Sequence, residues 1–255
     1  MKLKDFHKFL IENPVPEFKS QKQRTLIVVG DSKGCRLQNI VRNIEPENSI
    51  VWKCKGGRTS FQAADYIIHN IKHFVEVYGD IIIAVWTGTC DLTGFQSRSC
   101  RYTNHKTFSY KQRKYIDLSN VTVDDVITQY QRIVSVCQSY DSKVKLVFLE
   151  CPQYSICIWN KTKGDPNYEN FKENTEILNE RVNALDYSIR QLNETLGLNA
   201  PKFGIDLMTS RKSNPSYKSS KVSYSLLSDG IHPDVVLSEY WLRKIVLCIC
   251  TKCYY

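Results

Sequence analysis

The sequence predicts a three-layer α/β/α sandwich around a central parallel sheet of about five strands. Short apolar runs rich in β-branched residues alternate with longer stretches in which apolar residues recur three and four positions apart. The first pattern is typical of strands buried on both faces of a parallel sheet, and the second of amphipathic helices. Their regular alternation indicates an α/β architecture, in which loops at the carboxyl ends of the strands form the usual ligand site.

Five segments match the strand pattern. The strongest is DIIIAVWTGTCD, because six consecutive apolar residues follow its first aspartate. A run of this length is too short for most helices and fits a strand buried in the middle of a sheet. The predicted strands lie at residues 25–32, 49–57, 80–91, 143–152 and 202–208.

Six stretches match the helix pattern. The first lies near the N-terminus, where Leu3, Phe6, Phe9 and Leu10 recur at helical spacing. The other predicted helices lie at residues 32–44, 61–78, 121–140, about 170–196 and 235–250. Two segments interrupt the alternation: a basic insertion at about 94–118 and a Ser- and Lys-rich stretch at 207–228, which is predicted to be a loop.

Length and composition predict one domain. A chain of 255 residues that is 42% hydrophobic can bury a sizeable core, and we assign residues 23–255 to it, after an N-terminal helix and lead-in over residues 1–22. No apolar run approaches the roughly 18–20 residues that span a bilayer, and the start lacks the apolar core of a signal peptide. We therefore expect a soluble, cytoplasmic protein whose ten cysteines are reduced.

Candidate catalytic residues stand near the two ends of the predicted domain. Gly30-Asp31-Ser32 ends the first strand, so the Ser32 hydroxyl lies at a strand-to-helix turn whose N–H groups can stabilise an oxyanion. Asp229 precedes His232 by three residues, just before the last helix. This spacing allows the carboxylate to orient the imidazole that takes the serine proton. Each motif alone is better explained by a helix cap, and only the combination favours catalysis.

Together these motifs resemble those of the SGNH hydrolases, also called GDSL esterases and lipases, from Thr25 to about Cys250. VVGDS matches the first block of that family, with Ser32 as nucleophile, and DGIHP matches the block that supplies Asp229 and His232. The resemblance implies a flavodoxin-like sheet and a serine esterase that works through an acyl-enzyme. It implies no metal or organic cofactor, and a small or polymer-linked acyl ester as substrate.

The resemblance also implies an oxyanion hole. Its donors would be the backbone N–H of Ser32, a glycine after the second strand (Gly56 or, preferably, Gly57) and Cys90 in WTGTCDLT. Cys90 stands where the family has asparagine, and a thiol is a weaker donor than an amide. Losing one oxyanion donor costs about 2.7–4 kcal/mol, so we expect low activity. The matched blocks also suggest three substrate-binding residues: Asp31, Thr89 and Asp91.

Cysteine and histidine chemistry offers alternatives. Cys90 could act as nucleophile, because a thiol near an imidazole is readily activated, but Ser32 with a matched Asp-His pair explains more. A metal site is not expected, because two candidate ligand sets have no further ligands nearby in sequence. These sets are the cysteines of residues 248–253 and the pair His69 and His73.

A nucleic-acid-binding module on an SGNH-like scaffold, with weak or no hydrolase activity, is the second hypothesis. The formal net charge is +9, and residues 92–116 contain basic and aromatic residues but no acid, a composition that can contact phosphates and stack bases. It resembles SGNH-like domains that bind RNA and esterase-like domains of some retrotransposon proteins. A solvated basic insertion is the simpler interpretation, and a domain with neither activity is the third possibility. The candidate nucleic-acid-binding residues are Arg98, Arg101, Lys111, Arg113 and Lys114.

Overall fold

The predicted α/β/α architecture is confirmed by the structure, in which helices flank a central parallel sheet. This computed structural model describes residues 3–18, 20–104, 107–210 and 220–254. Within those ranges the description does not extend to the side chains at positions 3, 100–104, 107–111, 210 and 220.

Helices and strands alternate along the described chain. The helices are α1 (Leu3–Glu12), α2 (Ser32–Gln38), α3 (Ser60–Tyr78), α4 (Thr89–Leu92), α5 (Val123–Gln138), α6 (Ile156–Thr162), α7 (Lys172–Leu196) and α8 (Val235–Cys248). The strands are β1 (Thr25–Gly30), β2 (Val51–Trp52), β3 (Ile81–Trp86), β4 (Thr93–Asn104), β5 (Thr107–Leu118), β6 (Val144–Phe148), β7 (Met208–Ser210) and β8 (Ser220–Val222). Short 3-10 turns occupy Glu47–Ser49, Tyr168–Phe171, Gly204–Leu207 and Cys250–Cys253.

Four parallel strands form the sheet, in the order β2-β1-β3-β6. β3 pairs with β1 along its whole length, from Thr25 opposite Ile81 to Gly30 opposite Trp86. All six residues of β3 are buried, as expected of a strand that helices cover on both faces. Because β1 and β3 end at the same level, the turns that follow them lie side by side.

The connections of these strands create a switch point. The chain leaves β1 for β2 on one side, then crosses back to reach β3 on the other. Right-handed crossovers therefore place α2 and α3 on opposite faces of the sheet; α8 and α2 pack together, and α5 packs on α3. Ligands of open α/β sheets bind beyond the carboxyl ends of the strands where this reversal occurs.

Several predicted elements differ from the structure. The strand predicted at 49–57 is shortened to Val51–Trp52, and α2 ends at Gln38 instead of residue 44. The following residues form a loop in which the backbone N–H of Arg42 donates to Glu47 Oε2 (3.2 Å) and its guanidinium to Glu47 Oε1 (2.6 Å). Glu47 is buried. A buried carboxylate requires such partners, and this pair holds the loop in a non-helical path.

The predicted fifth strand at residues 202–208 also differs, because this segment contains the 3-10 turn Gly204–Leu207. A side chain occupies the outer edge of β6 instead. Asn193 Nδ2 donates to the C=O of Phe148 (2.7 Å), and Asn193 Oδ1 accepts the N–H of Phe148 (2.9 Å). Asn193 thereby makes at this position the two hydrogen bonds that another strand would make.

The basic segment forms a two-stranded antiparallel hairpin of β4 and β5, which we call the β4–β5 hairpin. Asn160 of α6, which is fully buried, joins it to the rest of the domain. Its Nδ2 donates to the C=O of Ile116 and its Oδ1 accepts the N–H of Ile116, both at 2.9 Å. This is the same edge-closing arrangement that Asn193 makes on β6.

Two arginines of the β4–β5 hairpin make further attachments. Arg98 forms an ion pair with Asp165, whose side chain is buried, and Arg113 donates to the C=O of Gly164. Both partners lie just after α6. The β4–β5 hairpin is therefore fixed to α6 and to the turn that follows it.

Two expectations from composition concern the whole chain. No helix in the described ranges is long and apolar enough to cross a membrane. The nine cysteines with described side chains are free thiols, and Cys100 lies outside that set.

Replacing Asn160 with alanine is expected to destabilise the protein by at least about 1–3 kcal/mol, because it leaves buried backbone groups of Ile116 without partners. Equilibrium urea unfolding measures this loss. Asn120 is exposed and provides the matched control, because Asn120→Ala should change the free energy of unfolding by no more than about 0.5 kcal/mol. Equal stability of the two variants would contradict the anchoring role of Asn160.

Candidate active site

Ser32 is the first residue of α2, immediately beyond the carboxyl end of β1. Asp31 caps this helix, since its Oδ1 accepts the N–H of Lys33 (2.9 Å). Gly30 allows the close approach of β3, because a Cβ at that position would lie 3.1 Å from the C=O oxygen of Trp86. As the first residue of the helix, Ser32 has a backbone N–H that no helical carbonyl can accept.

Asp229 and His232 belong to a tight turn just before α8. Asp229 Oδ1 accepts the N–H groups of Ile231 (3.1 Å) and His232 (2.9 Å). Gly230 has a φ of 86°, and a Cβ there would lie 2.9 Å from Ile158 of α6. Both the backbone conformation and the contact with α6 therefore require glycine at position 230.

The structure brings Ser32, His232 and Asp229 into one hydrogen-bonded chain. His232 Nε2 lies 2.9 Å from Ser32 Oγ, and His232 Nδ1 lies 2.8 Å from Asp229 Oδ2. Asp229 thus uses one oxygen to shape the turn and the other to orient the imidazole. These distances lie within the range for proton transfer from a nucleophile to its base.

Asp229 is ionised under ordinary conditions. Burial alone would raise its pKa, but hydrogen bonds from the His232 ring and from the N–H groups of His232 and Ile231 outweigh burial. They hold the pKa of the Asp229 carboxyl well below its usual value. An ionised carboxylate at this position stabilises an imidazolium on His232.

Three groups predicted for the oxyanion hole meet at the same place, because Ser32, Gly57 and Cys90 all line one cavity. Gly57 has a φ of 77°, which favours glycine. Burial raises the pKa of the Cys90 thiol to about 12. The thiol is therefore protonated at neutral pH, which makes it a weak donor and a poor nucleophile.

This cavity, of about 370 Å³, opens beside the Ser32 hydroxyl. Of the three predicted substrate-binding residues, Thr89 lines it, whereas Asp31 and Asp91 do not. Asp91 is buried and accepts the N–H and the hydroxyl of Ser60 at the start of α3 (2.9 and 2.7 Å). Its carboxylate is therefore occupied within the protein, away from the lining of the cavity.

Asp31 is likewise occupied, by an ion pair that lies entirely beneath the site. Lys33 Nζ is 2.6 Å from Asp31 Oδ2 and also donates to Thr89 Oγ1, and the side chains of Asp31 and Lys33 are 0% and 1% exposed. Burial alone would lower the pKa of Lys33, but the Asp31 carboxylate raises it above the usual value. The charged pair links the turn after β1 to the turn after β3.

The nucleic-acid prediction finds no support at the residues that suggested it. Arg98 and Arg113 make the attachments to the turn after α6 described above. Lys114 is exposed, and the side chains of Arg101 and Lys111 lie outside the described set. The exposed lysine does not form a basic surface by itself.

Sequence reasoning missed four residues that shape the site. Lys33 follows the GDS motif directly, and nothing in the local sequence SKGCRLQ indicated that its charge would be buried. The other three form the apolar wall of the cavity and come from the β4–β5 hairpin and α6, whose packing no local pattern revealed. They are Phe95, Ile116 and Trp159.

Metal binding was not expected from the sequence. Among the described residues, no group of three or more His, Cys, Asp or Glu side chains is arranged to hold a metal ion.

No protein-family model and no curated protein matches this sequence, but solved structures do. A GDSL-like lipase from Bacteroides thetaiotaomicron superposes with a TM-score of 0.58 at 12% identity, covering 98% of this chain and 100% of the other. A candidate acylhydrolase from Bacteroides fragilis gives 0.51 at 14% identity, with 99% of each chain covered. An acetyl xylan esterase gives 0.50 at 14%, covering 88% of this chain and 99% of its own. The chain therefore has the SGNH/GDSL hydrolase fold.

Lys33→Met is expected to destabilise the protein by about 3–5 kcal/mol, because it leaves the buried Asp31 carboxylate without its partner. The double variant Asp31→Asn/Lys33→Met removes both charges and keeps a capping oxygen, so it should recover most of that stability. Urea unfolding of the two variants measures the difference. A single variant as stable as the wild type would disprove the pairing.

Proposed function

We propose that this protein is a serine esterase that hydrolyses an acyl ester through an acyl-enzyme intermediate, with Ser32, His232 and Asp229 as its triad. The observation that carries the proposal is the continuous chain from Ser32 Oγ to His232 Nε2 (2.9 Å) and from His232 Nδ1 to Asp229 (2.8 Å). Such a chain activates a serine hydroxyl. The fold supports the same class, since the similar structures include a lipase and an acetyl xylan esterase.

Acylation begins when Ser32 Oγ attacks the carbonyl carbon of the ester and His232 Nε2 takes the hydroxyl proton. Asp229 stabilises the resulting imidazolium through its bond to Nδ1. The bond between the carbonyl carbon and the alcohol oxygen then breaks, and His232 gives its proton to the departing alcohol. The acyl group is left on Ser32.

Deacylation repeats these steps with water. His232 Nε2 takes a proton from a water molecule, whose oxygen attacks the acyl carbon. The bond to Ser32 Oγ breaks, and His232 returns the proton to the serine. The carboxylic acid product leaves, and the resting hydrogen-bonded chain forms again.

The negative charge that develops on the carbonyl oxygen would be stabilised by the backbone N–H groups of Ser32 and Gly57, with Cys90 as the third group. A protonated thiol donates weakly, so two good donors carry most of this stabilisation. Because the raised pKa of Cys90 keeps a thiolate from forming, no negative sulfur opposes the developing oxyanion.

Fluorophosphonate labelling tests the proposed nucleophile without knowledge of the substrate. The wild type should be labelled, Ser32→Ala and His232→Ala should not, and both should lose ester turnover by at least about 10³-fold. Ser135→Ala, which alters an exposed serine of α5, is the control and should label normally. Unlabelled wild-type protein, or labelling of Ser32→Ala, would refute the proposal.

Exchange at position 90 tests the oxyanion hole. Cys90→Asn introduces an amide donor and is expected to raise kcat by about 10- to 100-fold with little change in KM, because the donor acts on the transition state. Cys90→Ala should lower kcat by less than about tenfold. A slower asparagine variant together with a loss of about 10²-fold in the alanine variant would indicate that the thiol is already a strong donor.

A further inference from the structure

We propose that the cavity beside Ser32 binds the acyl chain of the ester and selects an apolar chain longer than acetyl. The inference rests on the proposed esterase function and adds the acyl class to it. Its basis is the set of side chains that build the cavity, their exposure, and the way the β4–β5 hairpin is fixed.

Apolar side chains from three separate elements form the cavity wall. Phe95 of β4 and Ile116 of β5 are directly opposite each other in the β4–β5 hairpin and share one face of it. Trp159 of α6 packs edge-on against Phe95, with ring centroids 5.7 Å apart. Ile231, between the two triad residues of the last turn, completes the wall. An apolar wall that begins at the catalytic serine suits the hydrocarbon part of an acyl group.

The cavity is larger than an acetyl group requires. Its volume of about 370 Å³ falls within the roughly 300–1,000 Å³ typical of small-molecule sites. A single methyl group would leave most of this apolar wall in contact with water. A longer chain would cover it, and each added methylene would gain the free energy of leaving water.

The exposure of Phe95 points to the same ligand. Phe95 is 70% exposed, whereas Ile116 and Trp159 are only 4% and 7% exposed. A large aromatic ring at the mouth of an apolar cavity presents surface that an entering chain can cover. Lys163 Nζ lies 5.3 Å from the Trp159 ring centroid, and its methylene stem extends the same wall while the ammonium reaches solvent.

The wall is also held in place without ligand. Asn160 bonds both backbone groups of Ile116, and Arg98 pairs with Asp165. These contacts fix the β4–β5 hairpin against α6, so Phe95 and Trp159 keep their spacing. A preformed apolar site binds with little ordering cost.

Product binding tests the cavity without turnover. In Ser32→Ala, titration with acetate, butyrate, hexanoate and octanoate should change Trp159 fluorescence, with affinity rising about fourfold per added methylene until the cavity is full. Trp159→Phe in the same background should abolish the signal, because the other three tryptophans do not line the cavity. Equal affinities for acetate and octanoate would overturn the inference.

Turnover of p-nitrophenyl esters of two to twelve carbons provides the second test. The wild-type ratio of kcat/KM for hexanoyl to acetyl ester should be at least about 10², from about fourfold per methylene. Phe95→Ala should lower that ratio at least tenfold, and Ile116→Phe, which fills the cavity, should shift the preference toward acetyl. Phe61→Ala removes another exposed aromatic ring (54% exposed), which lies on α3 and does not line the cavity, and should keep the wild-type ratio.

Fluorophosphonate labelling and ester turnover together separate the failure of this inference from the failure of the proposed function. A wild type that is labelled by fluorophosphonate but prefers acetyl ester would overturn the acyl-chain assignment and leave the esterase intact. A wild type without labelling or ester turnover would refute the esterase, and the acyl-chain assignment would fall with it.

Discussion

The site depends on the buried contact between the turn after β1 and the turn after β3. Lys33 Nζ joins the two, because it pairs with Asp31 and donates to Thr89. The first turn supplies Ser32, the proposed nucleophile, and the second supplies Cys90, so the ion pair sets the spacing of these two residues. A buried pair of charges stabilises a protein less than apolar packing of the same volume does. The role of this pair is to fix the relative position of two turns, which the sheet alone only brings close together.

The basic composition of the β4–β5 hairpin does not indicate the role that the hairpin has in the structure. Its arginines and lysines suggested a nucleic-acid surface, but Arg98 and Arg113 are used to fasten the hairpin to the turn after α6. Once fastened, the β4–β5 hairpin presents Phe95 and Ile116 to the cavity. A segment with a basic composition therefore contributes part of the apolar wall of the cavity.

Much of the fold could be predicted, because a strand that is buried on both faces appears in the sequence as a short run of apolar residues. The strand that begins at Ile81 is buried throughout, and it lies within the predicted range 80–91 but ends at Trp86. The missing fifth strand is explained by a single side chain that hydrogen-bonds to a residue far away in the sequence. Asn193 closes the edge of β6 where a fifth strand was expected, and no periodicity reveals a hydrogen bond between residues 45 positions apart.

The same distinction applies to the site. Ser32, Asp229 and His232 carry recognisable motifs, and the structure places their side chains in contact across 200 residues of sequence. Asp31 and Asp91 also belong to matched motifs, but both pair with other residues of the protein, because buried carboxylates must find partners within it. Motif spacing identifies which turns meet, whereas the direction of each side chain depends on packing that only the folded chain provides.

The most direct test of this account is to trap the acyl-enzyme and locate the acyl group by peptide mass mapping. The protein is mixed with a p-nitrophenyl ester, quenched in acid within the first turnover and digested. The proposed mechanism predicts one acyl group per chain, on the peptide that contains Ser32, and no such adduct in His232→Ala. An acyl group on the Cys90 peptide, or rapid ester turnover with no covalent adduct, would contradict it.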